Sequence, residues 1–99
     1  MIRKVPQEDP AKLVAMLRTW AYKFSGHALE RLQERKITIP EVQSVLRKGS
    51  LEANKHQFDD AYGSWSYAVR GRTVDDRELR LIVAILEDLL IVTVIDLGD

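Results

Sequence analysis

Trp65-Ser66-Tyr67-Ala68-Val69-Arg70-Gly71-Arg72-Thr73-Val74-Asp75-Asp76-Arg77-Glu78-Leu79-Arg80-Leu81-Ile82-Val83-Ala84-Ile85-Leu86-Glu87-Asp88-Leu89-Leu90-Ile91-Val92-Thr93-Val94-Ile95-Asp96 holds the architecture of this chain. Its β-branched and aromatic residues, broken at two acidic pairs, predict three strands: Trp65 to Arg72, Glu78 to Leu86 and Leu89 to Asp96. Thr73 to Asp76 and Glu87-Asp88 are the turns between them. The last two strands are almost continuously apolar, as expected of central strands covered on both faces. With Asp75-Asp76 at the turn centre, paired positions sum to 151, so Tyr67 falls opposite Ala84 and Arg70 opposite Leu81. Leu79, Leu81 and Val83 then share a face with Ser66, Ala68, Arg70 and Arg72. Arg80, Ile82 and Ala84 share the other with Trp65, Tyr67 and Val69. Both faces are apolar enough to predict cover, and a homodimer or a partner protein over the second is the expectation.

The residues before this stretch change period. From Asp9 to Ala21 the apolar positions Leu13, Val14, Met16, Leu17 and Trp20 recur at helical spacing, with Asp9 as N-cap and Pro10 at the first helical position. Tyr22-Lys23-Phe24 reads as an extended linker. Ser25 caps a second helix over about Gly26 to Lys36, with Ala28, Leu29 and Leu32 inward. Thr38-Ile39-Pro40-Glu41 is a capping box that opens a third, running through Val42, Val45 and Leu46 to Gly49, expected in the left-handed conformation. Leu51 to Lys55 reads as a short edge strand and His56 to Ser64 as a polar loop. The expectation is a single α+β domain over 1–99, with N-terminal helices on one side of a small antiparallel sheet of three to four strands.

Composition narrows the chemistry. Ninety-nine residues with 45% hydrophobic content can bury roughly 60–70% of the unfolded surface, enough for one core and not for a deep cofactor cavity. No cofactor is therefore expected. The chain has no Cys, which excludes a disulfide scaffold and a thiolate nucleophile and fits a cytoplasmic location. No signal peptide and no membrane span are expected, since Leu89 to Ile95 is far short of the roughly 20 residues a spanning helix needs. Asp59-Asp60, Asp75-Asp76 and Glu87-Asp88 are turn-type pairs without chelating spacing, so no metal is expected either. Net charge is zero, but residues 1–58 hold 11 basic against 6 acidic groups (+5), and residues 59–99 hold 4 against 9 (−5). Such asymmetry suits a local anion-binding face.

Two constellations could form that face. His27, Arg31 and Arg35 are spaced i, i+4, i+8 and make one row on the second helix. His27 lies in the first turn, where free N–H groups and the helix dipole favour an anion. The competing account pairs these arginines with Glu30 and Glu34. The strand Trp65 to Arg72 alternates aromatics with Arg70 and Arg72, a pattern suited to stacking bases on Trp65 and Tyr67 while guanidinium groups hold phosphate. Its competitor is an ordinary amphipathic strand with both rings in the core. Arg80 belongs to the same cluster or ladders with an acid.

Ser25-x-His27-Ala28-x-x-Arg31-x-x-x-Arg35, with Ile37, Val42, Val45-Leu46, Gly49, Tyr67-x-Val69-x-Gly71-Arg72 and the Ile91 to Ile95 strand, resembles a widespread family of small bacterial domains of unknown function over about residues 22–96. That family is placed near the RelE-type and MqsR/BrnT-type toxins of toxin–antitoxin modules. The resemblance implies a RelE-like sheet with N-terminal helices, metal-independent ribonuclease activity, RNA as substrate and neutralisation by an antitoxin protein. The chain departs from typical RelE-type toxins in being neutral and in lacking an obvious C-terminal catalytic tyrosine or lysine.

Two functions follow. In the first, an endoribonuclease, His27 acts as general base or acid, Arg31, Arg70 and Arg72 stabilise charge on the phosphoryl group, and Arg35, Trp65, Tyr67 and Arg80 bind RNA. In the second, a non-catalytic module binds RNA or a protein through the sheet, and Arg31 and Arg35 form structural ion pairs.

Overall fold

The loop between the two longest strands sets the architecture. In a computed structural model that describes residues 4–61 and 63–98, β4 (Ser64–Arg72) and β5 (Glu78–Ile85) are antiparallel neighbours joined by residues 73–77. Thr73 N–H donates to the Arg77 carbonyl (2.8 Å), Asp76 N–H to the Thr73 carbonyl (3.0 Å), and Thr73 Oγ1 accepts from Arg77 N–H (3.1 Å). Asp76 sits at φ 61°, a left-handed position that Asp tolerates. Arg72 therefore pairs with Glu78, and facing positions sum to 150, one fewer than expected from the sequence. An odd-numbered loop moves every β5 side chain to the opposite face.

The shift sorts the faces cleanly. Tyr67, Val69 and Gly71 now lie across from Val83, Leu81 and Leu79. The next loop, Leu86 to Asp88, also holds one residue more than a two-residue turn, and pairs Ile85 with Leu89 and Val83 with Ile91. This face is apolar from strand to strand. The other carries Ser66, Ala68, Arg70 and Arg72, facing Ala84, Ile82, Arg80 and Glu78. Its continuation on β6 (Leu89–Asp96) is Leu90, Thr93 and Ile95, with Val92 forming a bulge at the register shift.

The sheet has six strands, not three or four, and is mostly antiparallel. Its order is β1-β6-β5-β4-β2, with β3 also paired to β4. Tyr22-Lys23-Phe24, expected as a linker, is β1 (Tyr22–Phe24), parallel to Leu89–Ile91. The expected edge strand Leu51 to Lys55 resolves into β2 (Ser50–Leu51) and a single 3-10 turn (Ala53–Lys55). The expected loop after it contains β3 (Gln57–Asp59). These pieces are two or three residues long and exist through their partners rather than through their own periodicity.

The helices stand where their caps place them. α1 (Pro10–Thr19) starts on Asp9, whose Oδ2 accepts from Lys12 N–H (3.2 Å). α2 (Gly26–Arg35) starts on Ser25, whose Oγ accepts from Ala28 N–H (3.0 Å) and donates to the Val92 carbonyl (2.7 Å), fastening the helix to β6. In α3 (Ile39–Lys48), Glu41 Oε1 accepts from Thr38 N–H (2.9 Å) and Thr38 Oγ1 from Glu41 N–H (3.3 Å), completing the capping box. Leu13 and Leu17 of α1, Ala28 and Leu32 of α2, and Val42, Val45 and Leu46 of α3 join Tyr67, Val69, Leu81, Val83 and Ile91 in one core. Leu29, expected inward, is exposed.

The left-handed residue at a helix end is Lys36 (φ 54°) after α2, not Gly49, which has φ −73°. Gly49 is needed for room: a Cβ there would lie 2.5 Å from the Val45 carbonyl oxygen, 2.8 Å from that of Arg70 and 2.9 Å from Val69 Cγ1. Backbone, not a flexible side chain, supplies two of these contacts. Gly49→Ala is therefore expected to destabilise the fold by about 1–3 kcal/mol, read as a lowered urea midpoint at unchanged slope.

Candidate functional site

Along α2, burial of Ala28 and Leu32 turns the row His27, Arg31, Arg35 outward. His27 is exposed in the first turn. Arg31, 40% exposed, reaches Glu34 Oε2 at 3.3 Å, a solvated i, i+3 pair worth little. Among the described residues no carboxylate lies within ion-pair distance of Arg35. Arg31 and Arg35 form one wall of a groove of about 350 Å³; Thr93, Val94, Ile95 and Asp96 form the other. His27 continues the same helix row but does not line the groove.

That groove exists because β1 is short. β1 covers the outer edge of β6 only at Leu89–Ile91, and the chain then turns into α2 through Ser25. From Thr93 to Asp96 the outer edge of β6 has no strand partner among the described residues. Arg77 ties the C-terminal end of α2 to the sheet, its Nη1 donating to the Arg35 and Lys36 carbonyls (3.1 and 3.3 Å) and its Nε lying 4.0 Å from Asp96 and 3.9 Å from Glu41.

The strand constellation is split by its own alternation. Trp65 and Tyr67 face the core side, whereas Arg70, Arg72 and Arg80 lie on the other. Tyr67 is 3% exposed; its hydroxyl accepts from Glu8 N–H (2.8 Å) and its ring meets His56 edge-on at 5.0 Å. Trp65 is half-buried, donates Nε1–H to the Val5 carbonyl (2.7 Å) and meets Phe58 edge-on at 5.6 Å. The rings pin the segment preceding α1 to the sheet, and Tyr67 presents no free face for a base.

The strand arginines are held by acids. Arg70 and Arg80 are directly opposite, a like-charge pair that is unfavourable unless compensated. Glu52 compensates it, accepting from Arg80 Nε (2.6 Å) and Nη2 (3.0 Å) and lying 3.5 Å from Arg70 Nη1. Glu78 accepts from Arg70 Nε (2.7 Å), and Asp76 from Arg72 Nη1 (2.8 Å) at the exposed rim. Both carboxyls titrate below their ordinary range, Glu52 chiefly through its hydrogen bond from Arg80 and Glu78 through that from Arg70, with burial opposing in each case. The matching arginines are raised by the same bonds. Across the middle of this face run two shallow troughs: Ser64, Ser66, Ala84, Leu86 and Leu90 line one of about 250 Å³, and Lys55, Gln57, Arg80, Ile82 and Ile95 one of about 400 Å³, with Val92 in both.

Sequence reasoning missed Glu52, Glu78, Arg77 and the open β6 edge. Glu52 could not be found from spacing, because 28 residues and a 3-10 turn separate it from Arg80. Among the described residues no three His, Cys, Asp or Glu side chains converge to hold a metal ion. No helix among them is long and apolar enough to cross a membrane.

These features define a class: a small α+β domain with a solvated cationic row on one helix, set beside an incomplete sheet edge. The chain belongs to the family described as Domain of unknown function (DUF4258), whose model matches residues 24–96, from the end of β1 to the end of β6. No curated protein and no solved structure matches it.

Because Glu52 is lowered in the folded protein, its ion-pair stabilisation is complete above the ordinary carboxylate value of about 4.3 and fades as pH falls below it. Glu52→Gln is expected to lose about 1–3 kcal/mol at pH 7 and to show a flatter decline between pH 5 and 3 than the parent, measured by urea unfolding across that range.

Proposed function

We propose that this chain is a toxin-like endoribonuclease of a bacterial toxin–antitoxin pair, RelE-like in build, with helices packed on one side of its sheet and no metal in its chemistry. The observation that carries the reading is the row His27–Arg31–Arg35, solvated and nearly free of carboxylate partners, with its two arginines walling the groove along β6. An RNA backbone laid along that row meets guanidinium groups able to hold phosphate bidentately. His27 removes the proton from a ribose 2′-OH. The 2′-oxygen attacks the adjacent phosphorus, the P–O5′ bond breaks, and a 2′,3′-cyclic phosphate and a 5′-hydroxyl result, the leaving oxygen taking its proton from water. Arg31 stabilises the charge that gathers on the phosphoryl oxygens, and Arg35 anchors the neighbouring phosphate. In this reading Arg70 and Arg72, expected at the phosphate from sequence, and Arg80, expected to bind RNA or to ladder with an acid, act instead through Glu78, Asp76 and Glu52 to stabilise the sheet.

One observation favours a second reading, a non-catalytic RNA-binding domain. No side chain among the described residues hydrogen-bonds His27 to orient it, as a general base ordinarily requires.

Single-stranded RNA incubated with the protein in EDTA distinguishes the two. Cleavage that falls about 100-fold or more in His27→Ala, at unchanged circular dichroism, supports the ribonuclease. RNA that is bound but intact supports the second reading. In either case Arg31→Ala/Arg35→Ala should weaken binding and reduce the slope of log affinity against log salt by roughly 1.4, two phosphate contacts on a single strand. An unchanged slope removes the groove from the interface.

A further inference from the structure

The second half of the β6 edge has no strand partner among the described residues, although α2 flanks it. On the far side the sheet ends in β2 and β3, strands of two and three residues, a common means of blunting an edge. On the near side β1 covers Leu89–Ile91 and leaves Thr93–Asp96 without a strand partner among the described residues. Thr93-Val94-Ile95-Asp96-Leu97 contains neither Lys nor Pro, the residues that commonly guard such edges, and Ile95 is 38% exposed.

We propose that this edge pairs with the same edge of a second copy, antiparallel, about a two-fold axis through Ile95. The pattern of faces and charges is self-complementary in that register. Residues directly opposite in an antiparallel pair share a face. A two-fold at Ile95 therefore sets Ile95 against Ile95 of the second copy, an apolar pair on the face that carries Arg80. It also sets Val94 against Asp96 of the second copy, on the opposite face, within the groove walled by Arg31 and Arg35. Each Asp96 carboxylate, which lines its own chain's groove and is held there by Gly98 N–H (2.9 Å) and by Arg77 at 4.0 Å, is thus carried toward Arg31 and Arg35 of the second copy. Two-fold symmetry makes every contact twice, which is the requirement of an isologous interface. The pairing joins two six-stranded sheets into one and removes the exposed edge of both. The inference does not rest on the RNA reading, although the two draw on the same arginines, and its test is run without RNA.

Sedimentation equilibrium of the full chain over a concentration series is expected to show a two-chain species with a dissociation constant in the micromolar range. Ile95→Lys and Arg31→Glu/Arg35→Glu replace exposed or half-exposed side chains; each should raise that constant by about tenfold or more at unchanged circular dichroism. A one-chain mass at every concentration up to about 1 mM would overturn the proposal. So would a dimer that both variants leave intact and Leu86→Lys dissolves, because Leu86 lies in the trough on the other sheet face, away from the β6 edge.

Discussion

The five residues from Thr73 to Arg77 join β4 to β5 and fix the register of their pairing. The loop's hydrogen bonds and the left-handed Asp76 give it an odd number of residues, and that number assigns every side chain of β5 to a face. With it, Leu79, Leu81 and Val83 share one apolar face with Tyr67 and Val69, and these residues belong to the same core as Leu13, Leu32 and Val42. One residue fewer would put Arg80 into that core and Leu81 opposite Arg70. The burial of an unpaired guanidinium is costly enough to forbid the alternative register.

The same constraint explains why the arginines of the strands are held by acids. Once Arg70 and Arg80 are forced to face each other across β4 and β5, they need acids between them, and Glu52 and Glu78 supply those acids at 2.6 to 3.5 Å. Their charge is spent within the sheet. On α2 the acid paired with Arg31 is an exposed Glu34, and among the described residues no carboxylate lies within ion-pair distance of Arg35. A chain of zero net charge can therefore still present a local cationic surface, because its acids are concentrated where they neutralise the strands.

What the sequence made legible were features carried by neighbours along the chain. Asp9-Pro10, Ser25 and Thr38 with Glu41 mark the helix starts through local hydrogen bonds, and the row His27, Arg31, Arg35 follows from helical period alone. What stayed hidden depends on residues distant in sequence. Tyr22–Phe24 becomes a strand only because β6 lies beside it, and β3 only because of β4. The register escaped because Thr73 Oγ1 and Asp76 extend the turn beyond its acidic pair. Trp65 and Tyr67 illustrate the ambiguity of alternation: the pattern that suggested a base-stacking surface is also the pattern that places rings and guanidinium groups on opposite faces.

RNA contact is proposed for the α2 row rather than for the strand arginines. Backbone amide chemical shifts followed by NMR during titration with a short single-stranded RNA test it most directly. Perturbations are expected to concentrate at His27, Arg31, Arg35 and Thr93–Asp96, with Ser66, Ala68, Arg70 and Arg80 nearly unmoved. Perturbations centred on Ser66 to Arg72 and Arg80, with α2 silent, would contradict it.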